Sequence, residues 1–249
     1  MPMARIPMIN AVGRVVSLVP SLTEAVAVTA PGLLVGATDY CTHPADLDVP
    51  RVGGSKYPSV PAVLALRPDL VLANVEENRR EDVEALRAAG VPVHVTYPRT
   101  LDGALDELAA LFDRLGVASP GWLARARVAW DAPTPAVTRP AVVPVWRRPW
   151  VVLGPDTFAG DLLRRLGVAN LYADATERYP RPPLDEMLAR GPELVVLPDE
   201  PYPFDVDDGP EAFPGVPCAL VSGRHLTWYG PSLVEARPLL AHQLASIMD

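Results

Sequence analysis

The chain has 249 residues, of which 49% are hydrophobic and 21% charged, and its formal net charge is −8. That length suits one large domain or two of ~100–150 residues each, and the balance is an ordinary globular one. The negative charge argues against a nucleic-acid binder, which would carry a basic face, and no run approaches the ~18 apolar residues of a membrane span.

Proline is abundant at 30 residues but lies in turns and loop starts between apolar runs, which reads as stiffened loops rather than disorder. The two cysteines, Cys41 and Cys218, fall in different halves, so neither a disulfide framework nor a zinc motif is expected. Residues 1–14 lack the apolar core and small-residue cleavage site of a secretory signal, and no lipid-attachment cysteine lies near the start. The expectation is a cytoplasmic protein as written, or an extracytoplasmic one whose signal has been removed.

Residues 15–19 (VVSLV) form a β-branched run of buried-strand type, ended by Pro20. Ser21 to Glu24 has the capping-box form, Ser at N-cap and Glu at N3, and opens a helix to about residue 29. Residues 33–37 are the next strand, running out into a loop with Tyr40, Cys41 and His43. Two soft ligands are fewer than a structural zinc needs, so a contact to a bound ligand is favoured over a private metal site. The Gly53-Gly54-Ser55 turn does not have phosphate-loop spacing. A helix over 59–66, a strand over 70–73, a helix over 78–89 capped by Gly90, and a strand over 91–96 follow. Thr100 opens a helix to Leu115, whose Leu101, Leu105, Leu108, Phe112 and Leu115 form one stripe. A further helix is expected over about 122–131, then a linker over 132–140.

The second half restarts with a strand over 141–145 and the Trp146-Arg147-Arg148-Pro149-Trp150 cluster. A strand over 151–153 leads to a helix that opens at Asp156-Thr157 and continues through residues 167–172. Then come a short helix over 185–189, strands over 194–197 and 218–221, a polar loop over 222–231 and a last helix over 232–247.

The two halves repeat. Residues 64–78 (LALRPDLVLANVEEN) share their pattern with residues 188–200 (LARGPELVVLPDE), with Pro68 and Pro192 offset by 124, and residues 90–93 match residues 215–218 at an offset of 125. Strand and helix alternate throughout, which points to parallel sheets covered on both faces, where ligands bind beyond the carboxyl ends of the strands. Tyr40, Asn74, Tyr97 and Arg99 fall there in the first half, and Trp146, Trp150, Tyr202, His225, Trp228 and Tyr229 in the second. Aromatic groups with few acids or bases suit a large flat ligand. No serine-hydrolase, zinc-protease, dinucleotide or Walker motif is present, and no nucleophile stands beside His225 in sequence, so no catalytic residue is assigned and no enzyme is expected.

The segments RVVSLVPSLTEAVA, PRVGGSKYPSVPAVLALRPDLVLANVEEN and GVPVHV resemble the substrate-binding proteins of the helical-backbone metal-receptor superfamily, and among them the cobalamin-binding proteins of ABC importers. The resemblance implies an α/β class III substrate-binding fold: two Rossmann-like lobes (1–118 and 141–249) joined by one rigid helix within residues 119–140, at 119–131. It also implies a ligand held in an inter-lobe cleft, a corrinoid such as cobalamin, with haem and ferric siderophores as alternatives. The metal would belong to the ligand, with no intrinsic cofactor. By position Pro20, Ser21, Tyr40, Ser55, Asn74, Trp146, Arg147, Trp150 and His225 would line the cleft, with Arg99, Trp228 and Tyr229 beside them. The cobalamin binders place Trp near Ser55, Asn74 and His225; here the tryptophans stand at 146, 150 and 228 instead, and His225 becomes a candidate to reach the ligand metal. Acids would dock an ABC permease, Glu76, Glu77 or Glu81 on the first lobe and Glu200 on the second. A monomer is expected. A cytoplasmic cofactor-handling protein or an enzyme on the same scaffold is the rival reading.

Overall fold

The computed structural model of the chain describes residues 12–136 and 138–247. Most of the N-terminal stretch behind the signal expectation, and Val137 of the linker, lie outside them. The chain divides into two compact units. The first runs to Tyr97 and adds Glu107–Pro120, and the second takes Pro98–Asp106 and Gly121 onward.

The first unit contains β1 (Val15–Ser17), α1 (Pro20–Thr29), β2 (Leu34–Ala37), α2 (Val60–Ala65), β3 (Leu70–Asn74), α3 (Arg80–Ala88) and β4 (Val93–Thr96). The strands make a parallel sheet in the order β2-β1-β3-β4. Every residue of β1 and β3 is buried, as strands covered on both faces require. Val16, Leu18, Val63, Val71 and Leu86 form the centre of this core, each contributing about 1.5–3 kcal/mol by leaving water.

α4 (Leu101–Leu115) follows, and its expected apolar stripe is buried from Leu101 to Leu115. Residues 101–106 of this helix group with the second unit and residues 107–115 with the first. α5 (Gly121–Trp130) groups with the second unit. Thereafter come β5 (Arg139–Val142), β6 (Pro144–Trp146), β7 (Val151–Val152), α6 (Phe158–Arg165), β8 (Val168–Asn170), α7 (Leu184–Ala189), β9 (Leu194–Pro198), β10 (Cys218–Val221), α8 (Gly223–Thr227) and α9 (Leu233–Ala245). β5, β8, β9 and β10 form a second parallel sheet, order β10-β9-β5-β8, while β6 and β7 pair as an antiparallel hairpin.

The internal repeat extends to whole sheets. Read from its other edge, the second sheet is β8-β5-β9-β10, the counterpart of β2-β1-β3-β4. The starts of β1 and β5 differ by 139 − 15 = 124, those of β3 and β9 by 194 − 70 = 124, and those of β4 and β10 by 218 − 93 = 125. Only β2 and β8 depart, at 168 − 34 = 134, because the β6–β7 hairpin stands between β5 and β8.

Four local expectations are corrected. Ser21 does not cap α1: the helix begins at Pro20, with Val19 at N-cap and no side-chain cap. Proline suits the first helical position because its φ is already helical and its missing N–H would have no partner there. The α6 helix does not continue through 167–172, because Gly167 turns at φ +83° and the next three residues form β8. The strand expected over 141–145 is two strands, β5 and β6, broken at Val143. The loop expected over 222–231 contains α8.

Candidate functional site

The carboxyl ends of the first sheet are joined by a buried polar lattice. Asn74 closes β3. Its backbone N–H donates to Asn78 Oδ1 at 2.8 Å, and its own Oδ1 accepts from the N–H groups of Glu76 (2.7 Å) and Glu77 (3.3 Å). The Asn74 amide donates to Thr96 Oγ1 at 3.4 Å, at the end of β4. Asn78 Nδ2 in turn donates to the carbonyls of Leu18 (3.2 Å) and Ser55 (2.9 Å). Three strand ends and the 53–58 loop are thus held by two asparagines, and the Asn74 side chain is committed to that task. Ser55 is buried, with its Oγ 3.2 Å from Thr38 Oγ1.

Cys41 lies under hydroxyls, its Sγ 3.0 Å from Thr23 Oγ1 and 3.2 Å from Thr38 Oγ1. Burial pushes the Cys41 thiol up, against the lowering effect of those hydroxyls, so it stays a protonated interior thiol at neutral pH. Arg51 anchors the same loop by donating from Nη1 to the carbonyls of Thr38 and Cys41, both at 2.9 Å. Among the described residues no cluster of three or more His, Cys, Asp or Glu could hold a metal ion.

Above this lattice stand exposed aromatics. Tyr40 is 66% exposed and Tyr57 72%. The Tyr40 ring passes so close to Gly54 that a Cβ there would lie 3.3 Å from it. The Arg79 guanidinium lies 4.7 Å from the Tyr57 ring centre while forking onto Asp82 at 2.9 and 3.0 Å. Pro20 and Ser21 are buried at the start of α1, and Ser21 Oγ finds no hydrogen-bond partner among the described residues. Of the acids expected to dock a partner, Glu76 and Glu77 are partly buried. Glu81 is exposed, 3.4 Å from Arg79 Nη1.

In the second unit the β6–β7 turn packs on the loop after β9. Trp150 stacks on Phe204 at 6.2 Å and meets Phe213 edge-on at 5.5 Å. Trp146, 43% exposed, stands edge-on to Tyr202 at 5.6 Å. Arg147 is not available to a ligand: it pairs with Asp208 and with Glu211 (2.5 Å) and lies 5.1 Å from the Trp150 ring centre. Arg99 is exposed, 3.9 Å from Asp156.

His225 sits on α8 with both ring nitrogens engaged, Nδ1 2.8 Å from Ser222 Oγ and Nε2 3.1 Å from Glu235 Oε1. Trp228 and Tyr229 are buried, the latter edge-on to Phe158 at 5.9 Å. Glu200 is partly buried. Burial and then the neighbouring Asp199 carboxylate push its pKa up, against Trp228 and Arg224, and its Oε1 is shielded from solvent with no hydrogen bond among the described residues. A cavity of about 290 Å³ in this unit, lined by Leu101, Leu105, Trp130, Arg127 and Arg165, includes none of the expected ligand residues. Its arginines are already paired with Asp106, Asp102 and Asp161.

No family model matches the chain. In sequence it is 25% identical over 191 residues to the vitamin B12-binding protein of Vibrio cholerae, covering 73% of this chain and 69% of that protein. In structure it is similar to the periplasmic vitamin B12 binding protein of Vibrio cholerae, with a TM-score of 0.75 at 19% identity over 94% of this chain and 97% of the other. The fold is that of the class III substrate-binding proteins. A periplasmic heme binding protein from Pseudomonas aeruginosa shares the same class III fold, with a TM-score of 0.74 at 25% identity over 95% of this chain and 94% of that one.

Sequence reasoning placed its candidates at strand ends and missed the groups that hold those ends. Asn78, Asp208 and Glu211 act on partners far away in sequence, and Arg51 on carbonyls 10 and 13 residues before it. Asn78 alone carried a signal, four residues past the last asparagine of a buried strand.

Proposed function

We propose that this chain is the substrate-binding component of an ABC-type importer and that it captures a metal-containing macrocycle, a corrinoid before a haem. The observation that carries this reading is the 25% identity over 191 residues with a vitamin B12-binding protein. The chemistry of the strand ends supports it. Tyr40, Tyr57 and Trp146 are exposed aromatic residues, and aromatic rings supply apolar area to a flat ligand at low entropic cost. The metal arrives with the ligand: Cys41 is enclosed by hydroxyls, and both nitrogens of His225 already have partners. Haem is the second ligand class, favoured by the likeness to a heme binding protein at 25% identity.

The role is capture rather than catalysis. Ser222, His225 and Glu235 stand in hydrogen-bond line, as a nucleophile, base and orienting acid would. The N–H of Gly223, the donor best placed to stabilise an oxyanion beside Ser222, is instead held by Asp199 Oδ1 at 2.6 Å. The chain acts as a monomer outside the cytoplasmic membrane and hands its ligand to a permease, with exposed Glu81 as one docking charge. Calorimetric titration of the purified chain with hydroxocobalamin, cobinamide and haem tests the reading. Saturable one-to-one binding of a macrocycle is expected, and heats of dilution alone for all three would sink it.

A further inference from the structure

The chain has 22 basic residues besides histidine, and all but one are arginine; the exception is Lys56. It is exposed, in the turn that carries Gly54 beneath Tyr40 and runs directly into Tyr57. Its Nζ donates to the backbone carbonyl of Glu76, in the loop after β3. That bond orients the side chain with a neutral acceptor instead of a carboxylate. Two of the three ammonium N–H groups remain for a ligand, and the charge stays uncompensated by its anchor. The arginines nearby are committed differently: Arg51 to the carbonyls of Thr38 and Cys41, Arg79 to Asp82.

We propose that Lys56 is a specificity-determining residue of the candidate site, and that its ammonium selects a macrocycle bearing a peripheral carboxylate over the same ring with neutral edges. This rests on the macrocycle-binding reading above and adds the chemistry of the ring's edge: within that reading it favours haem or a corrinoid acid over the amide-edged cobalamin. A planar ring lying on Tyr40 or Tyr57 would bring its substituents toward the turn over residues 53–58, which carries Lys56. A carboxylate there gains a charge-assisted hydrogen bond that an ester or amide does not. The flexible lysine stem lets one cation meet acids at several positions around a ring, which the planar fork of arginine does less readily.

The test uses two matched pairs, haem with its dimethyl ester and dicyanocobyrinic acid with dicyanocobinamide, against the full chain and the Lys56→Gln and Lys56→Arg variants. The wild-type chain is expected to bind the carboxylate member of a pair about tenfold more tightly. That ratio falls to near one in Lys56→Gln and is largely kept in Lys56→Arg. A second readout uses the single lysine. Acylation of Lys56 by an amine-reactive ester, read by peptide mass, is slowed by the carboxylate ligand and much less by its neutral partner. A ratio unchanged in Lys56→Gln, or acylation indifferent to bound ligand, overturns the proposal while leaving macrocycle binding intact. Silence of the wild-type chain toward all four compounds overturns the macrocycle reading and the proposal with it.

Discussion

The backbone N–H of Asn74 and the side-chain carbonyl of Asn78 meet at 2.8 Å, closing the turn that follows β3. The same Asn78 side chain reaches Leu18 and Ser55, so one amide fixes the loop, the exit of β1 and the turn beneath Tyr40. Replacing it strands three buried polar partners at once.

Asn78→Ala is therefore expected to destabilise the protein by about 2–4 kcal/mol, since buried donors and acceptors left unpaired cost more than the bond they lose. Thermal unfolding should show a fall in Tm of roughly 5–12 °C. An unshifted midpoint would show that water replaces the amide without loss.

Gly223 opens α8 against the backbone of Glu200. A Cβ on it would lie 2.3 Å from Glu200 Cγ and 2.7 Å from both Glu200 N and O. Gly223→Ala must push these segments apart, at a cost of about 2–4 kcal/mol in urea unfolding. A variant as stable as the parent would mean that the two segments separate freely.

Asp161 on α6 takes the Leu101 N–H at 3.0 Å and pairs with Arg164 and Arg165. Burial alone would raise its carboxyl, but the Leu101 N–H and the two guanidinium groups outweigh it and hold it below its ordinary 3.8. A carboxyl with a depressed folded pKa adds stability that is full above the unfolded value and lost as pH falls through the folded one. Asp161→Asn should lower stability at pH 7 and flatten the decline of stability below about pH 4. Parallel acid limbs for the two proteins would contradict the assignment.

Much of the fold is legible in the chain because its signals are local or repeated. The Pro68 and Pro192 turns announce β3 and β9, and the stripe from Leu101 to Leu115 announces α4. β8 is not legible: three residues after Gly167 are too few to show alternation, and they become a strand only by pairing with β5. The capping box at Ser21 fails because Pro20 competes for the helix start. Placement of the candidate residues at strand ends is legible, but the commitment of each side chain is not. Tyr40 and Trp146 follow from strand ends, whereas the pairing of Arg147 with Asp208, 61 residues away, depends on the tertiary fold.

His225 looks in sequence like a candidate to reach a ligand metal, yet Ser222 and Glu235 occupy its two nitrogens. His225→Ala is expected to leave the absorbance bands of bound haem or corrinoid unmoved. A shift in those bands would show that the imidazole leaves its partners and ligates the metal.

The central claim is capture of a metal-containing macrocycle, and Trp146, exposed beside Tyr202, is its natural reporter. The decisive measurement is intrinsic tryptophan fluorescence of the purified chain titrated in parallel with cobalamin, cobinamide, haem and a ferric siderophore. The account predicts saturable quenching by one of the macrocycles, at micromolar concentration or below. Saturable binding of the siderophore alone, or of none of the four, would contradict it.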